Sequence, residues 1–353
     1  MPGIFAVHSS SRMCFPRGFA VAVLACASFG SALFPQSPGK SFVLPPGDYK
    51  VDQFAVSADE TTILFTSSHT PDDEKRDVFL FDLRAGEVKK LLTGEAVGVW
   101  TVPIPRTYAV STSAGLYLIK EDGTVGAPTV INNLRGVLQW THDGNYFVFM
   151  TDRRKVDTNA PDYNEMGFTA MGILDMSTQK VRQFSVKTPA FRFHVIQSGD
   201  NIDKIYVSDD TAETEKQPTV NIYDVKGKHL DTRFDYYGIN FSSAGQYYLP
   251  YIFEAGLPFR VRYADSGKTV VSFANEGDEE DENPVWNPQI ENLLLLEHHE
   301  KQDGKPIVRF DVLNVARRSI VKSVPFGVAQ WTPDGKVLVV FRDAKFVFEE
   351  IAP

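Results

Sequence analysis

Cysteine is almost missing from this chain. Of 353 residues only two are cysteine, Cys14 and Cys26, so nothing beyond residue 26 can form a disulfide, act as a thiolate nucleophile or ligate a metal through sulfur. A chain this long buries most of its apolar surface on folding and does not need such staples. Positive charge is also in short supply. The 36 Lys and Arg against 45 Asp and Glu leave a formal net charge of −9, which argues against nucleic-acid binding, since that draws on dense Lys/Arg contacts to phosphates. A hydrophobic content of 43% is ordinary for a globular protein and excludes long disorder, a collagen-like chain and a many-span membrane chain.

Acidic residues are absent from residues 1–32. There Arg12 and Arg17 precede an uncharged, mostly apolar stretch at residues 18–34, with small residues at Gly30 and Ala32. A basic region, a short apolar run and a small-residue cleavage site predict a secretory signal peptide over residues 1–32, with Met13 as a possible true start. That leaves residues 33–353 as one domain, in the periplasm or secreted. A membrane anchor at the short limit of length and a buried core helix are the competing readings. Val-Leu-Ala-Cys26 also fits a lipid-attachment motif, which would tether the chain to a membrane surface through Cys26.

What is present in quantity is one repeated unit. Gln139-Trp-Thr-His-Asp-Gly and Gln330-Trp-Thr-Pro-Asp-Gly are two copies; Val285-Trp-Asn-Pro, Asn240-Phe-Ser-Ser and Gln53-Phe-Ala-Val are three more, and the copies at Trp100 and Phe193 are degenerate. The leading aromatics are Phe54, Trp100, Trp140, Phe193, Phe241, Trp286 and Trp331. Each unit reads as a strand ending at the aromatic, a tight turn, and three further β-rich runs. Four short strands per roughly 45 residues is the arithmetic of a propeller blade. The last unit supplies only three strands, and residues 40–50 read as the missing fourth. The expectation is an all-β fold, a seven-bladed β-propeller of four-stranded blades, its last blade closed by the N-terminal strand.

These units resemble the TolB-like propellers, also called WD40-like or PD40 repeats, whose signature is a strand ending in Trp or Phe followed by Ser/Thr-Pro-Asp-Gly. Residues 330–336 carry it best. The resemblance implies a secreted, periplasmic or surface protein, or a propeller of the kind fused to peptidases. The Asp-Gly turn is missing at Trp100, Phe241 and Trp286.

Catalytic signatures are lacking. No Gly-x-Ser-x-Gly elbow, His-x-x-x-His pair, His-Glu-x-x-His motif or phosphate-cradling Gly-rich loop occurs. His298-His299-Glu300 is the only histidine cluster, and neighbours on a strand point to opposite faces. His142 sits in a turn and reads as structural. The acidic run at residues 276–282 lacks the alternating spacing that wraps calcium. The sequence predicts no catalytic residue, no metal and no cofactor.

What remains is a set of long polar loops on one face, at residues 69–77, 152–167, 209–218, 254–258, 275–284 and 297–306. Loops gathered on a rigid scaffold are a usual carrier of function. Arg153, Arg154 and Tyr163, of types favoured at binding hot spots, and His298 and His299 are the candidate binding residues. The function expected from these features is a non-catalytic exported module, probing a protein or peptide partner through its loop face as a monomer, with no nucleic acid. Two alternatives stand beside it. One is a lyase- or lactonase-like propeller enzyme or small-ligand binder using the axial channel, with Asp52 and Gln139 as polar candidates. The other is a cytosolic scaffold with a mis-assigned start.

Overall fold

Alternating β-branched and aromatic residues between Asp/Asn/Gly turns dictate strands throughout, and strands are what form. The computed structural model describes residues 39–68, 76–112, 115–131, 134, 138–155, 166–190, 192–209, 219–234, 240–249, 259–273, 284–302 and 305–352. The predicted leader, Met13 and Cys26 lie outside them. Apart from a single 3-10 turn at Gly199–Asn201, every regular element is a β-strand. No helix among the described residues is long and apolar enough to cross a membrane.

In chain order the strands are β1 (Ser41–Val43), β2 (Val51–Val56), β3 (Thr62–Ser68), β4 (Arg76–Asp82), β5 (Glu87–Thr101), β6 (Thr107–Thr112) and β7 (Gly115–Lys120). Next come β8 (Leu138–Trp140), β9 (Tyr146–Lys155), β10 (Met166–Asp175) and β11 (Lys180–Ala190), then β12 (Arg192–Val195), β13 (Ile205–Asp209), β14 (Thr219–Tyr223) and β15 (His229–Phe234). The series ends with β16 (Asn240–Phe241), β17 (Tyr247–Leu249), β18 (Phe259–Tyr263), β19 (Thr269–Phe273), β20 (Val285–Trp286), β21 (Leu293–Gln302), β22 (Lys305–Asn314), β23 (Ser319–Pro325), β24 (Val328–Trp331), β25 (Val337–Arg342) and β26 (Lys345–Glu350). Neighbours pair antiparallel throughout, and β1 forms the outer edge of the sheet made by β24, β25 and β26.

The predicted seven-bladed propeller of four-stranded blades is corrected. The strands make six sheets, five of four strands and one of six (β2 to β7), and none of the six closes on itself. The sequence predicts a boundary between units after Leu92, with the fourth strand of one, residues 87–92, separate from the first strand of the next, which ends at Trp100. In the structure β5 runs unbroken from Glu87 to Thr101 and pairs with β4 along its first part and β6 along its last. The chain has no room for a loop there. Gly94, at φ 61°, allows the strand to bend, and its N–H donates to Asp77 Oδ1 at 2.7 Å, so the bend carries no unpaired amide. A second correction concerns residues 297–306, expected as a long loop. Of these, residues 297–302 continue β21 and residues 305–306 begin its partner β22, with Gln302 opposite Lys305.

Burial explains the strand composition. The second strand of a unit is covered on both faces, so β3 is buried at every position and reads as a continuous apolar-plus-threonine run rather than an alternation. The apolar side chains gather in clusters between consecutive units. One cluster joins β2, β3 and β4 to β25 and β26 through Phe54, Phe65, Phe81, Phe346 and Phe348, so the first and last sheets pack together.

The first strands of neighbouring units lie side by side, and side chains rather than a backbone ladder join them. Gln139 is the clearest case: its Nε2 donates to Phe193 O at 3.2 Å, and its Oε1 accepts from Val195 N at 2.6 Å. Asn240 Nδ2 donates to Pro284 O, and Trp286 Nε1 donates back to Asn240 O. The amide thus supplies a donor and an acceptor to a strand that has no β partner on that side. Gln139→Leu removes both bonds at nearly constant volume and strands two half-buried backbone groups. The expected loss is about 1–3 kcal/mol of unfolding free energy, read from urea denaturation; an unchanged midpoint would show that the bridge contributes nothing.

Candidate functional site

The end of each first strand is fixed by the pair that precedes its turn. Trp140 faces Phe147, Phe241 faces Tyr248, Trp286 faces Leu294 and Trp331 faces Leu338. The other three aromatics do not share this register. Val56 and Val195 take the terminal place, opposite Ile63 and Ile205, with Phe54 and Phe193 two residues earlier on the same face. In β5 the terminal residue is Thr101, opposite Tyr108, and Trp100 lies one earlier, opposite Ala109. One residue of slip turns a side chain to the other face of a strand. Trp140, Trp286 and Trp331 are accordingly buried core residues, whereas Trp100 is only half-buried.

Segments from the first strands of all seven units and their turns line one cavity of about 660 Å³, well within the size range of small-molecule sites. All four tryptophans of the chain are in its wall. No Lys or Arg lines it among the described residues, and Asp52 is its only carboxylate. Gln53, Gln139, Gln197, Asn287, Gln289 and Gln330 supply amides. Three of these are committed to the protein: Gln139 as above, Gln197 to Trp140 O and Val195 O, and Asn287 to Gly335 O and the N–H groups of Gln289 and Ile290. Gln53 is exposed.

Where β2 and β5 run side by side, a polar group sits behind the wall. The β2–β3 register shifts between Val51 and Gln53; this bulge leaves Asp52 as an extra residue and re-aims its side chain. Asp52 Oδ1 accepts from Ser68 Oγ at 3.2 Å, and its Oδ2 lies 3.3 Å from Arg76 Nε. Both facing atoms are shut off from solvent and neither completes a hydrogen bond. Arg76 Nη1 donates to Val97 O. Next along β5, Gly98 has no side chain, and a Cβ there would lie 2.4 Å from Trp100 Cη2 and 3.2 Å from Gln53 Oε1. The glycine lets the indole fold back along its own strand toward the Gln53 amide.

His194 occupies the place in β12 that Gln139 has in β8, next to the terminal residue. Part of its ring is accessible and lines the cavity, but Nε2 is sealed and has no partner. The ring lies 6.1 Å from that of Phe241, centroid to centroid. Desolvation pushes its pKa down to about 4, so at neutral pH it is an uncharged imidazole. An unfolded histidine titrates near 6.5. Between those values the unfolded chain binds a proton that the native one refuses, so stability falls as the pH drops from about 6.5 toward 4. His194→Phe, which keeps a flat ring against Phe241, is expected to flatten that part of the stability–pH curve; urea midpoints from pH 7 to 4 for both proteins check it. Parallel curves for the two would remove His194 as the cause.

His142, Asp143 and Asp203 are the one trio of histidine and carboxylates among the described residues whose donor atoms could share an ion. They are already engaged with the protein. Asp203 accepts from His142 N at 2.9 Å and faces His142 Nδ1 at 2.8 Å. Asp143 accepts from Thr141 Oγ1 and from the backbone and side chain of Asn145. The joint ties the turn of one unit to the turn of the next.

The candidate binding residues that are described lie on two strands, β9 and β21. Arg153 and Arg154 lie in β9, opposite Phe168 and Gly167. His298 and His299 lie in β21, opposite Arg309 and Val308, and His298 Nδ1 is 4.0 Å from Asp311 Oδ2. Tyr163, the acidic run at 276–282 and residues 69–75, 156–165, 210–218 and 254–258 of the expected loop face are outside the described residues. Asp52 and Gln139 do line the cavity. Sequence reasoning missed Gln53, Arg76 and His194 and took Trp100 only as the leading aromatic of a degenerate copy. The signal for Trp100 was available, because its unit lacks the Asp-Gly turn from which the register is counted.

No family model matches this chain, and no curated protein matches it. Among solved structures, a chain of Kuenenia stuttgartiensis hydrazine synthase is similar at 12% identity and a TM-score of 0.57, covering 87% of this chain and 97% of that one. A chain of a mitotic checkpoint complex is similar at 11% identity and a TM-score of 0.57, covering 96% of this chain and 99% of that one. At such identities the likeness is one of fold. The TolB-like and WD40-like resemblance is corrected, since no family model matches and the similar solved structures are chains of a hydrazine synthase and of a mitotic checkpoint complex. The exported propeller module acting through its loop face is likewise set aside, as are the lyase- or lactonase-like enzyme or small-ligand binder at a propeller's axial channel and the scaffold, because each was read onto a propeller and none of the six sheets closes. The chain is an all-β protein whose described first strands line a cavity walled by tryptophans and side-chain amides.

Proposed function

We propose that this chain is a binding module that holds an uncharged small molecule, without covalent chemistry, in the cavity between its first strands. The observation that carries the reading is the wall itself: every unit contributes to it, while no cation and only one carboxylate, held against Arg76, is present. An anionic ligand would find no counter-charge there. A cationic one would compete with Arg76 for Asp52. Amides and aromatic edges fit a neutral molecule with hydrogen-bonding groups and an apolar face.

The tryptophans make occupancy visible, because all four report on the same space. A soaked library of uncharged fragments is expected to place its hits in this cavity and to shift the intrinsic fluorescence in solution. Hits confined to other surfaces, with unchanged fluorescence, would sink the reading.

A further inference from the structure

We propose that the wall of the cavity between β2 and β5 is a saccharide subsite, in which a sugar ring stacks on Trp100 and its hydroxyls bond Gln53 and Asp52. The inference rests on the cavity being the binding site and names the class of molecule it takes. Four observations converge on one place. Trp100 is the one tryptophan set off the terminal register, and it packs half-buried against the cluster of Val102, Ala109 and Trp140 at the cavity wall. Gly98 leaves the space over which that ring folds toward Gln53. The bulge in β2 delivers Asp52 beside Gln53 at the same wall. The Asp52–Arg76 pair keeps Asp52 Oδ2 sealed against the guanidinium, which leaves Oδ1, beside Ser68 Oγ on a side chain 30% exposed, as the carboxylate atom for a hydroxyl.

The chemistry of the group selects its ligand. Asp52 can only accept hydrogen bonds, and Arg76 behind it cancels its charge, so the pair favours a neutral donor over an ammonium. A carboxylate ligand would meet Asp52 with like charge. The Gln53 amide offers both a donor and an acceptor, as does a hydroxyl. A molecule that donates to a carboxylate, exchanges both roles with an amide and lays an apolar face on an indole is a polyhydroxylated ring. Apolar aromatics satisfy only the indole, and open-chain polyols lack the flat face.

The test is a titration of the full chain with glucose, galactose, mannose and N-acetylglucosamine and their α- and β-linked dimers, followed by tryptophan fluorescence and by saturation transfer to the sugar protons. At least one sugar is expected to bind, with saturation strongest on the ring face that meets the indole. Gln53→Ala, at an exposed position, is expected to weaken it about tenfold, the equivalent of 1.4 kcal/mol. Trp100→Ala should weaken it further, and Trp100→Phe should restore part of the loss. A sugar bound equally by wild type, Gln53→Ala and Trp100→Ala would overturn the subsite. Fragments in the cavity with no sugar bound would overturn the saccharide class and leave the binding module standing. A cavity that takes neither fragments nor sugars would overturn both.

Discussion

Phe346→Ala is expected to cost about 3–5 kcal/mol of unfolding free energy, the range for deleting a fully enclosed phenylalanine. Phe346 is 0% exposed. Its ring meets Phe54 edge-on at 5.2 Å and Phe341 at 4.8 Å, with Phe65 and Phe81 just beyond 6 Å. Those neighbours come from β2, β3, β4 and β25, so removing the ring opens a cavity where the first and last sheets meet. Rigid strands on both sides cannot collapse into it, which places the cost at the upper end of the range. Phe42→Ala is the comparison. Phe42 is partly exposed on the edge strand β1 and packs edge-on against Phe348, so its loss should be about 1 kcal/mol. Urea denaturation of both variants checks the contrast. A Phe346→Ala loss no larger than that of Phe42→Ala would mean that the joint between the chain's two ends contributes little.

Much of the strand pattern was legible because the forces that set it are local. Asp and Asn in the turns hold the same contacts from unit to unit: Thr141 Oγ1 donates to Asp143, and Thr332 Oγ1 to Asp334. Gly144 and Gly335 both take φ 70°. A repeated turn with a repeated mechanism is visible in one dimension. Sheet membership was not, because β5 passes from one unit to the next by a bend at Gly94 that reads as an ordinary turn residue. Register was legible only where the turn was regular. At Trp100, where Val-Pro-Ile-Pro stands in place of the turn, the aromatic was aligned with those of the other units although it sits one residue off the terminal pair and faces the other way. The candidate site was half legible for the same reason. Asp52 and Gln139 stand out as polar residues in first strands, but their partners Arg76, Phe193 and Val195 are brought to them by packing between units, which no local pattern records.

The irregular unit at Trp286 shows how a missing turn signal is compensated across units, and it yields the second large effect. Asn287-Pro-Gln-Ile-Glu291 replaces the usual Asp-Gly turn, and Asn287 Oδ1 caps its own segment by accepting from Gln289 N and Ile290 N. That frees Glu291 to reach the turn of the preceding unit. Its carboxylate accepts from Ser242 Oγ, Ala244 N, Ser243 Oγ at 3.0 Å and Gln246 N at 2.9 Å. Ser242 keeps other partners in Tyr247 N and O, but the amides of Ala244 and Gln246 have no second acceptor among the described residues. Glu291→Ala is therefore expected to cost about 2–4 kcal/mol, since a charged acceptor of several donors is lost and the hydroxyl of buried Ser243 is left unpaired. Glu291→Gln keeps one acceptor oxygen but points an NH₂ group at donors, so it should recover only part of the loss. Hydrogen exchange gives the sharper reading. The amides of Ala244 and Gln246 should exchange much faster in Glu291→Ala, while that of Gly144, in a turn that carries its own Asp, keeps its rate. Equal protection at all three amides, or a loss below about 0.5 kcal/mol, the scatter of ordinary surface changes, would show that this turn is held by its own backbone and that Glu291 is a bystander.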